Sequence, residues 1–222
     1  MTIELATRFI DVLGGMLLFT MMLILASGQL FRAIYAVAAQ AVFLGIAGIV
    51  LWIVTGNTDL CIIAGITIVV KAILLPWLLI QVIRRVQIRR EIEPVIPISI
   101  TLILAAAIVV LSFNLAATLG PVRQSITGNA LPVGVALTLL GVLVMATRRK
   151  AMTQMIGLFA CENGIFFTAI AISQGMRFII EIGVILDVVL GALVMGIMIL
   201  RVRSDVDAAV DVDIADMESL KG

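Results

Sequence analysis

Apolar stretches of membrane-spanning length alternate with short polar turns along most of the chain. Windows of about 20 predominantly apolar residues are typical of transmembrane helices. Seven such spans are predicted, at residues 9–26, 33–54, 60–83, 95–118, 131–147, 153–174 and 179–200. Gly56 to Asp59 form a typical turn sequence, in which Asp59 is predicted to cap the third span. The pattern therefore predicts an all-α integral membrane protein with about seven transmembrane helices.

The basic residues are distributed unevenly between the two sides of this predicted bundle. Eleven of the fifteen lysines and arginines lie on the side that carries the C-terminus, with runs at residues 84–90 and 148–150. Three lie on the opposite side, and Lys71 falls inside the third span. Loops rich in lysine and arginine are retained in the cytoplasm. We therefore predict an N-terminus outside, a cytoplasmic C-terminus and an odd number of spans.

The composition supports a membrane protein and argues against metal, cofactor and acid–base catalytic sites in this chain. Hydrophobic residues make up 63% of the 222 residues, and the mean hydropathy of +1.26 is outside the range of soluble domains. Histidine is absent, and Cys61 and Cys161 lie in separate apolar spans. Since the commonest metal ligand and acid–base side chain is missing, we predict no catalytic residue, metal or cofactor in this chain. A net charge of +1 gives no reason to expect nucleic acid as a partner.

Four ionisable residues fall within or near the apolar spans: Lys71, Glu162, Glu181 and Asp187. A charge at the bilayer centre costs about 2.5–3.5 kcal/mol on insertion scales, so such residues mark ion or proton pathways by default. At about 1.5 Å per residue, Lys71 and Glu162 both lie roughly 18 Å from the outer ends of their spans, and Asp187 roughly 12 Å. We predict a proton path of Lys71, Glu162 and Asp187, with Glu181 and Asn163 as possible accessory residues; Asn163 could position water.

Structural interpretations of the same residues stay open. Lys71 could instead form an ion pair with a carboxylate that only fixes how helices pack. Glu181 could lie at the outer interface and pair with Arg177. Pro76 removes the helical donor to the carbonyl of Ala72, which predicts either a hydrated polar spot beside Lys71 or simply a shaped helix.

The division of the chain follows from these patterns. We predict an N-terminal four-helix membrane block at 1–130, a three-helix part at 131–203 and an acidic cytoplasmic tail at 204–222. The tail lacks the spacing of a calcium-binding loop and carries six acidic residues: Asp205, Asp207, Asp211, Asp213, Asp216 and Glu218. It either stays solvated or docks on a cytoplasmic partner.

The last three spans carry a family resemblance. Their sequences include LTLLGVLVMATRRK, QMIGLFACENG and ILDVVLGALVMGIMILRVR. They resemble the small three-helix subunit shared by complex I and multisubunit cation/proton antiporters, which has a basic turn followed by two buried acids on successive helices. The basic turn matches residues 148–150, and the second acid matches Asp187. The first acid departs from the pattern, because Phe159 occupies its position and Glu162 follows three residues later, on about the same helix face.

The whole chain resembles component E of hydrogenase-4, from the membrane-bound nickel–iron hydrogenases related to formate hydrogenlyase. The matching features are KAILLP at 71–76, CENG at 161–164, IEIGVILD at 180–187 and the terminal SLKG. The resemblance implies a non-catalytic subunit of a complex I-like oxidoreductase in a bacterial or archaeal cytoplasmic (inner) membrane. Its buried charges would contribute to proton translocation coupled to redox chemistry elsewhere.

The partners implied by this resemblance are antiporter-like membrane subunits, a quinone-site-like membrane subunit and a peripheral hydrogenase arm, with lipid around the helices. Fe–S clusters and nickel are expected in those partners and not in this chain. Two alternatives stay open. The chain could belong to a multisubunit cation/proton antiporter without redox chemistry, or it could be a purely structural assembly subunit.

Overall fold

The computed structural model describes residues 2–85, 95–118 and 130–173. In these ranges the chain is almost entirely helical. The elements are α1 (Ile3–Ala26), α2 (Leu30–Thr55), α3 (Thr58–Thr67), a π-helical segment (Ile68–Leu74), α4 (Leu75–Arg85), α5 (Ile98–Thr118), α6 (Ala130–Thr147) and α7 (Ala151–Ser173). Because α3, the π segment and α4 follow one another without a break, they form one long helix.

Five of the described helices are long and apolar enough to cross a membrane: α1, α2, the long helix over Thr58–Gln81, α5 and α6. The first six predicted spans each fall on a helix of the structure. The first helix begins earlier than predicted, because Glu4 and Arg8 lie on its exposed side and do not interrupt it. The seventh span, with Glu181 and Asp187, and the tail at 204–222 lie outside the described residues.

The turn between α2 and α3 differs in detail from the prediction. Gly56 ends α2 in the left-handed conformation, with φ of 71°, and its N–H donates to the carbonyl of Trp52. The cap of α3 is Asn57, whose side chain accepts a hydrogen bond of 3.1 Å from the backbone N–H of Asp59. The prediction that Asp59 caps α3 is therefore wrong, and the capping residue lies two positions earlier. An asparagine at this position satisfies one of the free N–H groups of the first helical turn.

The bundle is held together by a close contact between α6 and α7, by packing around α2, and by the contacts of α5 with α6 and α1. The helices α6 and α7 form a tight antiparallel hairpin, in which Gly141 and Gly164 each lie against the backbone of the opposite helix. Small residues permit this close approach between membrane helices. Helix α2 packs against α1, the long helix and α7, and therefore lies between the other elements. Helix α5 contacts α6 and α1 through a narrow stripe of buried residues: Thr101, Ala105 and Ser112.

Arg148, just after α6, connects the C-terminal end of α6 to the C-terminal end of α1. It is 3% exposed, and its guanidinium donates a 2.7 Å hydrogen bond to the carbonyl of Leu25 in the last turn of α1. That carbonyl has no helical N–H partner, and a cation also suits the negative end of the helix dipole. Burial lowers the pKa of the Arg148 guanidinium below its ordinary value. The basic turn predicted from the sequence therefore contains one arginine that is part of the fold.

Arg148→Ala is expected to destabilise the folded chain by about 1.5–3 kcal/mol, the range for a hydrogen bond that involves a charged group. Arg149 is exposed, so Arg149→Ala is the matched control and should change stability by about 0.5 kcal/mol or less. Thermal unfolding of the detergent-solubilised protein measures both. Equal midpoints for the two variants would contradict the role assigned to Arg148.

Candidate functional site

An ion pair inside the bundle joins the π segment to α7. The ammonium Nζ of Lys71 lies 3.2 Å from Oε1 of Glu162, and both side chains are 6% exposed. The same Nζ lies 5.7 Å from the centre of the Phe166 ring, one helical turn after Glu162. A cation over an aromatic face gains further electrostatic attraction, which is larger where water is excluded. The ion pair is thus desolvated, with an aromatic ring against its cation.

The backbone around Lys71 departs from the regular α-helix. Residues Ile68–Leu74 form a π-helical segment, and the N–H of Leu75 donates to the carbonyl of Val70, five residues back. Pro76 follows immediately and has no N–H to continue the ladder. The irregularity that Pro76 predicts therefore takes the form of a π segment that contains Lys71. Such segments are rare and occur often at functional sites.

A second buried polar pair joins α2 to α7. Nδ2 of Asn163, the neighbour of Glu162, donates to Oε1 of Gln40 on α2 at 3.5 Å. Nε2 of Gln40 donates to the carbonyl of Leu17 at 3.3 Å and approaches Sδ of Met21 at 3.7 Å, both on α1. Gln40 and Asn163 are 0% and 1% exposed. Buried polar groups therefore run from α1 through α2 to α7, where they end at the residue that follows Glu162.

The structure brings Lys71 and Glu162 into contact, and it places Asn163, the residue after Glu162, against Gln40. The remaining two predicted site residues, Glu181 and Asp187, lie outside the described residues, so their roles stay predictions. Gln40 was missed, although its sequence position gives a signal. It is an amide in the middle of the apolar run AVAAQAVFLG, and membrane helices commonly use such amides for hydrogen bonds between helices.

The ion pair can exchange a proton if its geometry changes. While Lys71 lies beside it, the Glu162 carboxylate is compensated by a cation and can remain charged. If the ammonium moves away, a buried carboxylate is too costly to leave ionised, and it takes up a proton instead. The arrangement therefore couples the position of one side chain to the protonation of another.

Comparison with known proteins adds one relative. Over 134 residues the chain is 31% identical to the uncharacterized protein Rv0085 of Mycobacterium tuberculosis. The match covers 60% of this chain and 61% of that protein, less than two thirds of the length of either. No family model and no solved structure matches the chain.

Proposed function

We propose that this chain is a membrane subunit of a complex I-like oxidoreductase of the hydrogenase-4 type, and that Lys71 and Glu162 form part of its proton path. The observation that carries the proposal is the 3.2 Å ion pair between two side chains that are each 6% exposed. Intramembrane ion pairs are costly to build, and they are typical of proton and ion pathways.

The surroundings of the ion pair favour a role in proton transfer over a role in helix packing alone. Replacing a buried ion pair by apolar residues of similar volume is often neutral or stabilising, so packing alone gives little reason to keep one. Here the pair also includes a cation on a π segment, and Glu162 is followed in α7 by Asn163, whose buried amide contacts that of Gln40. Water and side-chain motion, which proton transfer needs, are easier to accommodate at such a polar, irregular place.

Residues outside the described ranges also belong to the proposed path. Asp187 acts as a second proton-loading acid, with Glu181 as a possible accessory residue. The chain has seven transmembrane helices in a bacterial or archaeal inner membrane, with the N-terminus outside and the C-terminus in the cytoplasm. The redox chemistry, with its Fe–S clusters and nickel, belongs to partner subunits.

Copurification tests which assembly the chain belongs to. The complex is extracted gently with detergent through a tag on this chain, and its subunits are identified by mass spectrometry. We expect antiporter-like subunits, a quinone-site-like membrane subunit, and the large and small subunits of a hydrogenase. Antiporter-like subunits without any redox protein would overturn the oxidoreductase proposal and support a cation/proton antiporter. Recovery of the chain alone would contradict both.

Glu162→Gln tests whether the ion pair carries protons. Glutamine keeps the shape of the side chain but cannot take up or release a proton. We expect proton translocation per hydrogen turned over to fall about 100-fold, the lower bound for a positioned proton-transfer group. Inverted membrane vesicles with a fluorescent pH probe measure translocation, and an artificial electron carrier measures turnover. A purely structural subunit predicts instead a lower yield of complex with unchanged coupling.

A further inference from the structure

We propose that Phe166 is a positioning residue of the proton path. Its ring face holds the ammonium of Lys71 while Glu162 carries a proton, so that the cation stays against α7 and close to the carboxyl group. This inference rests on the proposed function, and it deepens it by naming a side chain that stabilises the protonated state of the path.

Glu162 and Phe166 present two different groups to the same cation. Nζ of Lys71 lies 3.2 Å from Oε1 of Glu162 and 5.7 Å from the centre of the Phe166 ring. The two residues are four positions apart in α7, so they lie on one face of the helix and about 6 Å apart along its axis. The ammonium is therefore within reach of both groups at once.

The two groups respond differently to a proton. Glu162 takes one proton from water in the path and later returns it to water, and no bond other than O–H forms or breaks. While the proton is bound, the carboxyl group is neutral and no longer attracts the ammonium as a counter-ion. The ring does not titrate, and the negative charge of its face attracts a cation in both states.

The observed distance leaves room for this attraction to grow. Nζ lies near the outer limit of a cation–π contact, which is about 6 Å from the ring centre. Once Glu162 is neutral, a shift of the ammonium along α7 towards the ring strengthens that contact. Phe166 therefore favours the state in which Glu162 carries the proton, and it keeps Lys71 near enough to return when the proton leaves.

The adjacent phenylalanine shows what a packing role alone looks like. Phe167 is 0% exposed, and a Cβ atom at Gly14 of α1 would lie 3.6 Å from its ring. Phe166 is only partly buried, and Lys71 lies over its ring. An aliphatic side chain would also fill a partly buried place, whereas an aromatic face also attracts a cation. The two neighbouring rings thus serve different contacts.

Ring fluorination of Phe166 tests the inference with little change in the shape of the side chain. Phenylalanine with one, two or three ring fluorines is placed at residue 166 in the intact complex, and proton translocation per hydrogen turned over is measured in vesicles. Each fluorine withdraws electron density from the ring face and weakens its attraction for a cation. We expect coupling to fall stepwise, to about tenfold below the unmodified complex with three fluorines, within the roughly 2- to 30-fold that a cation–π contact is worth.

Two comparisons separate the ring face from the size of the side chain. Phe166→Leu keeps an apolar side chain without a ring face and should also lose coupling by about tenfold. The same fluorine series at Phe167 is the matched control, because within the described part of the chain no cation lies over that ring. It should leave coupling unchanged. Since Phe167 is the more completely buried ring, it is also the stricter test of the added size of fluorine.

Each outcome separates this inference from the proposed function. Coupling that does not depend on the number of fluorines at Phe166, or an equal loss in the Phe167 series, would overturn the positioning role. If Glu162→Gln still lowered coupling, the proposed function would stand without it. Normal coupling in Glu162→Gln would overturn the proposed function and this inference together. If Phe166→Leu failed to assemble, the two fluorine series alone would decide.

Discussion

Lys71→Met is expected to destabilise the folded chain by about 3–5 kcal/mol, the cost of removing one partner of a buried ion pair. The loss arises because Glu162 is 5% exposed and would lose the ammonium 3.2 Å away, so that it either stays ionised without compensation or takes up a proton at a cost in free energy. Methionine is close to lysine in length and apolar, so packing beside Phe166 is largely preserved. Thermal unfolding of the purified protein in detergent gives the difference in stability between variant and native chain.

The double variant Lys71→Met/Glu162→Met is the control for this prediction. It removes both charges and fills the site with apolar side chains, which is often neutral or stabilising. We therefore expect its stability to return to within about 1 kcal/mol of the native chain, as for other replacements of buried pairs. A double variant as unstable as Lys71→Met would show that the cost lies in packing and not in the unpaired carboxylate.

The same double variant separates function from assembly. A pair that serves only to hold helices together is dispensable once apolar residues fill its place, and coupled activity would then survive. A proton path requires the carboxyl group itself. We therefore expect a stable, assembled complex with uncoupled turnover, which a structural role cannot explain.

The positions of most described helices along the chain could be predicted from the sequence, and the reason is physical. A chain in lipid must satisfy its backbone hydrogen bonds internally, so an apolar run of sufficient length becomes a helix. Several predicted and observed helix ends therefore agree closely, as with 131–147 and Ala130–Thr147, whereas α1 begins at Ile3 and not at residue 9. Local polar detail was less predictable, because Asn57 and Asp59 are both good caps and only the turn geometry selects between them.

The site could be predicted in part. The helical rise fixes depth, and equal depths made a contact between Lys71 and Glu162 possible; the observed distance is 3.2 Å. The partnership of Gln40 and Asn163 depends on how α2 and α7 are rotated about their axes, which depth does not determine. The π segment was also beyond prediction, since Pro76 indicates an irregularity but not which form it takes.

The two charged side chains lie on helices that are packed differently. Glu162 lies on the glycine-lined α6–α7 hairpin, while Lys71 lies on the long helix, and α2 packs against both. The hairpin has backbones in direct contact and little freedom to shift. The π segment has the less regular backbone. We therefore expect any change in the distance between the two charges to come from the side of Lys71.

Gly141→Ala is expected to destabilise the folded chain by about 3 kcal/mol, the upper end for overpacking a close-packed interior. A Cβ atom at Gly141 would meet the backbone of Cys161 well inside van der Waals contact. Backbone cannot rotate out of the way as a side chain can, so α7 must move as a unit. Since Glu162 follows Cys161 directly, the shift would also disturb its contact with Lys71.

Gly15→Ala provides the matched control, because a Cβ atom at this exposed position of α1 has no neighbouring atom within 4 Å. Alanine is favoured over glycine in a helix by roughly 0.5–1 kcal/mol, so this variant should be slightly more stable than the native chain. Unfolding of all three proteins in one detergent gives the comparison, and coupled translocation should fall only for Gly141→Ala. Equal stability of the two alanine variants would contradict the tight hairpin. A destabilised Gly141→Ala that still coupled normally would show that the position of Glu162 tolerates movement of α7, and that the ion pair adjusts from the side of the π segment.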